Sequence, residues 1–110
     1  MRQIGHLAAA GLIAVETMVA RLAEDHEKIR RLAEIATGSR GARVIHPETN
    51  ILFVHFDAPI AQRLGDHLQE TGIRVSVMGE SSLRLVSHRD VTEADCEAAG
   101  IALVNASKSI

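Results

Sequence analysis

Apolar residues early in the chain recur three and four positions apart. Val15, Met18, Leu22, Ile29, Leu32 and Ala36 form one seam, and Asp25 occupies its single vacant position. That spacing predicts a long amphipathic helix, whose other side carries Arg21, Glu24, Glu27, Lys28, Arg30, Arg31 and Glu34. Residues 4–15 are apolar nearly all round. A helix that changes from all-round apolar to amphipathic is expected to be buried at one end, against more protein than its own domain supplies. Thr37-Gly38 predicts its end, with Gly38 as a left-handed cap and residues 39–41 as a loop.

Alternation takes over beyond this point. Residues 43–45 predict a short strand before the His46-Pro47-Glu48 turn, and residues 50–56, rich in β-branched and aromatic side chains, predict a central strand. Asp57 is placed to cap a helix with Pro59 in its first turn; Ile60, Leu64 and Leu68 line one face and Gly72 ends it. Ile73, Val75 and Val77 alternate with Arg74 and Ser76, and the turn at residues 79–81 leads to a strand at 83–87. Thr92 and Asp95 have capping-box spacing ahead of an Ala-rich last helix. The predicted order is α-β-β-α-β-β-α: an α+β fold with a long N-terminal helix and a small antiparallel or mixed sheet carrying helices on one face. Its 110 residues form one domain.

Composition narrows the functional classes. Twelve basic against 14 acidic residues give a formal charge of -2, and two Phe with no Tyr or Trp leave little for bases to stack on. A nucleic-acid partner is not expected. One cysteine, Cys96, supports no internal disulfide and fits a reducing cytoplasm. The apolar N-terminal stretch is interrupted by Gly5, His6, Gly11 and Glu16 and continues into a charged helical pattern. It therefore reads as a buried helix, with no export signal and no membrane span expected.

Candidate chemistry is sparse. Five of the six histidines recur about every 20 residues, but their flanks share no apolar register, so they form no repeat. No metal-ligand spacing, nucleophile elbow or phosphate loop is present. Acidic neighbours Asp95 and Glu97 would raise the Cys96 pKa, which argues against a nucleophile. Arginines carry the signal: they are ten of the 12 basic residues. Arg2 directly precedes the apolar helix. Arg84 sits within a strand, sharing a face with Val86 and His88 while Leu83, Leu85 and Ser87 point the other way. A guanidinium there either snorkels at a solvated edge or faces a polar cleft, where its fork suits a carboxylate.

Several blocks together carry a family resemblance. Residues 1–12 (MRQIGHLAAAGL), Arg21-Leu-Ala-Glu-Asp-His26, Thr49-Asn-Ile-Leu-Phe-Val54 and Leu83-Arg-Leu-Val-Ser-His-Arg-Asp-Val91 resemble the C-terminal part of the low-specificity L-threonine aldolases. The resemblance runs almost end to end and covers roughly the last third of such an enzyme. It implies the small C-terminal domain of a fold-type I pyridoxal-phosphate enzyme, like aspartate aminotransferase. It further implies that Arg84 holds the substrate α-carboxylate and that Arg2 lies near the cofactor phosphate across a subunit interface. Asn50 and His88 are implied as structural supports, Ser87 replaces a threonine, and Arg89 replaces an apolar residue.

Pyridoxal chemistry needs a lysine for the imine and an acid on the pyridine nitrogen. By the same resemblance both lie upstream of Met1, as does the ring-stacking histidine. Lys28 is expected on an exposed, charged helix face and Lys108 at a frayed terminus. No catalytic residue or metal ligand is therefore assigned. The expectation is a threonine-aldolase small domain, inert by itself, whose parent reaction cleaves L-threonine or L-allo-threonine to glycine and acetaldehyde. Such a domain takes an amino-acid substrate only when completed by a large domain, as a homo-oligomer or with a companion chain. The alternative is a non-catalytic module that associates through its apolar first helix, and β-elimination stays open beside aldol cleavage.

Overall fold

A computed structural model describes residues 2–110. Two helices precede the sheet: α1 (Ile4–Ile13) and α2 (Leu22–Ala36), joined by a π-helical stretch (Ala14–Met18) and a 3-10 turn (Val19–Arg21). Strands β1 (Ala42–Val44) and β2 (Ile51–Phe56) follow, then α3 (Ala61–Glu70), β3 (Ser76–Val77), β4 (Ser82–Val86) and α4 (Glu93–Ser109). The sheet order is β1-β2-β4-β3 and every pairing is antiparallel, which resolves the choice between an antiparallel and a mixed sheet.

One face of this sheet makes the core. Leu52, Val54 and Phe56 of β2 join Leu83 and Leu85 of β4, all buried, against Ile29 and Leu32 of α2, Leu64 and Leu68 of α3 and Leu103 of α4. Period-2 alternation in the strands and the i, i+3, i+4 stripe of the helices meet there, as their patterns predict. Val75 and Val77 also turn inward, although β3 spans only Ser76–Val77 of the predicted 73–78 strand.

Helix α4 begins with the predicted capping box. The Asp95 amide donates to Thr92 Oγ1 (3.1 Å) and the Thr92 amide to Asp95 Oδ2 (2.9 Å). These bonds hold the Asp95 carboxyl below the usual carboxylate range. Its middle approaches α2 closely, because Gly100 faces Ile35 and Leu32.

The apolar helix is left uncovered by its own domain: α1 has no buried residue, and of the seam only Ile29, Leu32 and Ala36 are buried, while Val15 is 71% exposed. Two local expectations are corrected. Gly38 is not a left-handed cap; the helix closes through Thr37 N–H to Ala33 and Gly38 N–H to Ile35 carbonyls, and Gly41 in the following loop has φ 67°. Asp57 does not cap α3. Its amide donates to the Gly41 carbonyl and the Ala61 amide to the Glu80 carbonyl, the chain bends through residues 57–59, and the first helical bond, Leu64 to Ile60, comes later.

A Cβ at Gly100 would lie 2.8 and 2.9 Å from Ile35 Cγ2 and Cβ, too close without moving α2. Gly100→Ala is therefore expected to cost about 1–3 kcal/mol, the range for overpacking a filled core. Gly11→Ala, in open space on a helix, should cost nothing. Urea midpoints of the two variants check the contrast.

Candidate functional site

Covering one face of the sheet leaves the other open, and the register decides which side chains meet there. Phe53 pairs with Arg84 and Arg84 with Ser76; His55 pairs with Ser82 on one side and Arg43 on the other. Directly opposed residues share a face. Ile51 and Val86, also paired, extend it as an apolar margin.

Arg84 is the anchor of this face. It is half-buried, as the central of three paired positions in a row across β2, β4 and β3. Its Nη2 donates to Ser76 Oγ at 3.4 Å, while its Nε is shielded from solvent with no hydrogen-bond partner. Among the described residues, no ion pair includes Arg84. A shielded guanidinium N–H without an acceptor is costly. Its remaining donors are arranged as a fork for a planar two-oxygen acceptor.

His55 and Phe53 stand beside it, and sequence reasoning did not single them out. His55 Nδ1 and Ser82 Oγ are 2.6 Å apart, and the Phe53 and His55 rings are stacked with centroids 6.4 Å apart and planes 6° from parallel. Alternation alone puts both residues on the outer side of β2. Only the β2–β4 register, which one strand's pattern cannot reveal, brings them beside Arg84.

Arg2 is placed elsewhere. It is exposed at the tip of the N-terminal helix and makes no hydrogen bond or ion pair among the described residues. About 21 Å of helix from Ile4, at 1.5 Å per residue, lies between that tip and Met18, where the helix meets Arg89 through Met18 Sδ at 3.6 Å. The structure does not bring Arg2 to Arg84.

Residues around the end of β4 act as fasteners. Asn50 Nδ2 donates to the Ser87 carbonyl (2.7 Å), and the buried Ser87 hydroxyl donates to the Asp25 carbonyl (2.7 Å). His88 Nδ1 accepts the Asp90 amide (3.2 Å). Lys28 is not on a solvated face as expected: it is largely covered, with Nζ on Asp25 Oδ1 (3.4 Å) and the His88 carbonyl (3.3 Å). This also explains the acid in the apolar seam. Lys108 lies in the last turn of α4. Both lysines are on helices of the core side, with the sheet between them and Arg84.

The remaining features bind less chemistry. A groove of ≈ 380 Å³ is floored by Leu32, Ile73, Leu85, Val91 and Cys96, with Arg74 and the capping Asp95 at its rim. Burial is the main reason the Cys96 thiol is pushed up; Lys28 opposes the shift and Asp95 and Glu93 reinforce it, with Glu93 in the place expected for Glu97. No group of three or more His, Cys, Asp or Glu placed to hold a metal is found among the described residues. The helical run Ile4–Ala36 is long and apolar enough to cross a membrane by length and composition alone, and its most apolar window has nothing buried.

Comparison with known proteins identifies the lineage. The sequence model for "Beta-eliminating lyase" matches residues 1–59. The chain belongs to the β-eliminating lyase family. Within that family setting it is 39% identical over 92 residues to the low specificity L-threonine aldolase of Escherichia coli (strain K12), covering 84% of this chain and 27% of that protein. It is 36% identical over 100 residues to low-specificity L-threonine aldolase 1 of Arabidopsis thaliana, covering 86% and 28%. The chain thus spans little more than a quarter of the length of the curated relatives it matches. Its fold resembles that of the aminotransferase TlmJ from Streptoalloteichus hindustanus, with TM-score 0.61 and 18% identity over 83% of this chain and 34% of that one.

Raised pKa and burial make Cys96 an inert thiol. Alkylation by iodoacetamide is expected to be slow in the native chain and to gain rate on urea unfolding, with the native pH profile displaced upward. Equal rates in both states would contradict this placement.

Proposed function

We propose that this lyase-family chain is the C-terminal small domain of a threonine-aldolase-like enzyme, in which Arg84 binds the α-carboxylate of the amino-acid substrate. The observation that carries the reading is the open-face guanidinium of Arg84, shielded at Nε and free of any carboxylate among the described residues. The similarity to the two aldolases, and the matched blocks around Arg84, support the substrate class.

Pyridoxal phosphate does not fit the residues of this chain alone. Lys28 is committed to Asp25 and the His88 carbonyl on the far side of the sheet, and Lys108 ends α4. The cofactor and the acid–base groups would belong to the rest of the protein, with Arg2 supporting the phosphate from the helix tip. The isolated chain is inert, and the exposed apolar helix is covered in the complete enzyme, which is a homo-oligomer or a pair of companion chains in the cytoplasm.

A second reading rests on that same helix. Ile4, Leu7, Leu12, Ile13, Val15 and Val19 are all more than half exposed, an apolar surface large enough to drive self-association without catalysis.

The purified 110-residue chain with pyridoxal phosphate and L-threonine should release no acetaldehyde. An intact mass of the native protein above 11.9 kDa would put the large domain in the same chain, and a mass of 11.9 kDa would put it in a companion chain. In the completed enzyme Arg84→Gln should raise KM for threonine by about 30-fold or more, the effect of removing one partner of a desolvated charge pair. Threonine turnover by an 11.9 kDa protein, or an unchanged KM in Arg84→Gln, would sink the reading.

A further inference from the structure

We propose that the open sheet face carries a second anion-binding locus, formed by Arg43, His55 and Ser82 beside Arg84, so that the face takes a small dianion with one anionic end on each locus. The inference rests on the carboxylate reading of Arg84 for one of its two ends only.

The geometry supplies the second locus independently of Arg84. Arg43 and Ser82 oppose His55 from the two neighbouring strands, which puts their Cβ atoms about 4.5–5.5 Å from that of His55. Ser82 Oγ holds Nδ1 at 2.6 Å and Phe53 stacks on the ring, so the imidazole is oriented before any ligand arrives. With the Ser82 hydroxyl donating to Nδ1, Nε2–H remains a free donor. Arg43 is exposed and joins none of the ion pairs among the described residues.

Acidic groups are missing from this face. None of its strand-paired positions is an Asp or Glu, and neither Arg43 nor Arg84 joins an ion pair among the described residues. Arg43 and Arg84 are thus left uncompensated on one side of one sheet, a field that attracts anions. His55 lies diagonally from Arg84 on the adjacent strand, within about 7–8 Å and inside the reach of long side chains. A short dicarboxylate spans such a gap. Because Arg84 is half-buried between Phe53 and Ser76, a small ligand reaches it more readily than a flat acidic protein surface.

The test is an NMR titration of the full 110-residue chain with succinate, acetate, inorganic phosphate and an oligoglutamate peptide at constant ionic strength. Arg Nε–H and His ring signals are followed. Succinate should move the Arg84, Arg43 and His55 signals along one isotherm and bind at least about tenfold tighter than acetate, since its second contact is intramolecular. His55→Ala and Arg43→Ala should each bring succinate down to acetate strength, with the core amides of Leu52 and Leu83 unmoved to show an intact fold. Arg84→Gln should abolish the acetate response and retain phosphate shifts at Arg43 and His55, which separates the two loci. Shifts at Arg84 alone would overturn the second locus and leave the carboxylate reading standing. Silence of all three signals would overturn the two-locus face and leave the carboxylate reading to the Arg84→Gln KM test, and oligoglutamate binding without succinate binding would replace the small ligand by a protein surface.

Discussion

A β-strand sends successive side chains to opposite sides, and this molecule depends on that rule at β2 and β4. Burying Leu52, Val54 and Phe56 with Leu83 and Leu85 compels Phe53, His55, Arg84 and Val86 to the other face. A slip of one residue in the β2–β4 register would drive Arg84 into an apolar core, at a desolvation cost of several kcal/mol. The core therefore specifies the site. It sets not only that Arg84 faces outward but also which neighbours flank it, because Phe53 and Ser76 are fixed by the same pairing.

The helical layer serves this arrangement from behind. Gly100 lets α4 approach Ile35 and Leu32, and the buried Ser87 hydroxyl ties the end of β4 to the Asp25 carbonyl in α2. Lys28 joins the same knot through Asp25 and the His88 carbonyl. These polar links sit where α2 first gains cover. N-terminal to them the helix changes to π and then 3-10 geometry, at residues 14–21, and leaves the body of the domain. Irregular helical turns of this kind commonly mark a change of environment or a functional junction. Here they separate an amphipathic helix, matched to this core, from an apolar one that it cannot cover.

How much was legible follows from how local each signal is. The capping box at Thr92 and Asp95 uses backbone groups three residues apart, and it forms as read. The alternation of Leu83, Arg84, Leu85 and Val86 likewise reports its own faces. Asp57 misled for the opposite reason: its role was decided by partners far along the chain. Asp57 is held by the Gly41 carbonyl, and the start of α3 waits on the Glu80 carbonyl. Lys28 read as solvated because its neighbours in sequence are charged, yet beside Asp25 its second partner, the His88 carbonyl, comes from the loop after β4. His55 beside Arg84 was invisible on the same ground, since strand register is a long-range property.

Two surfaces remain unsatisfied by the fold, and they differ in kind. The first helix offers apolar area with no polar pattern, so its cover can be supplied by packing alone. The open sheet face instead sets a shielded, unpaired guanidinium within an apolar margin of Ile51, Phe53 and Val86. Packing alone would make that face worse, because a dry cover without an acceptor would strand a buried charge. Whatever closes over it must bring an anion. That requirement follows from this chain's own side chains, and it is the physical content behind assigning the face to recognition and the helix to assembly.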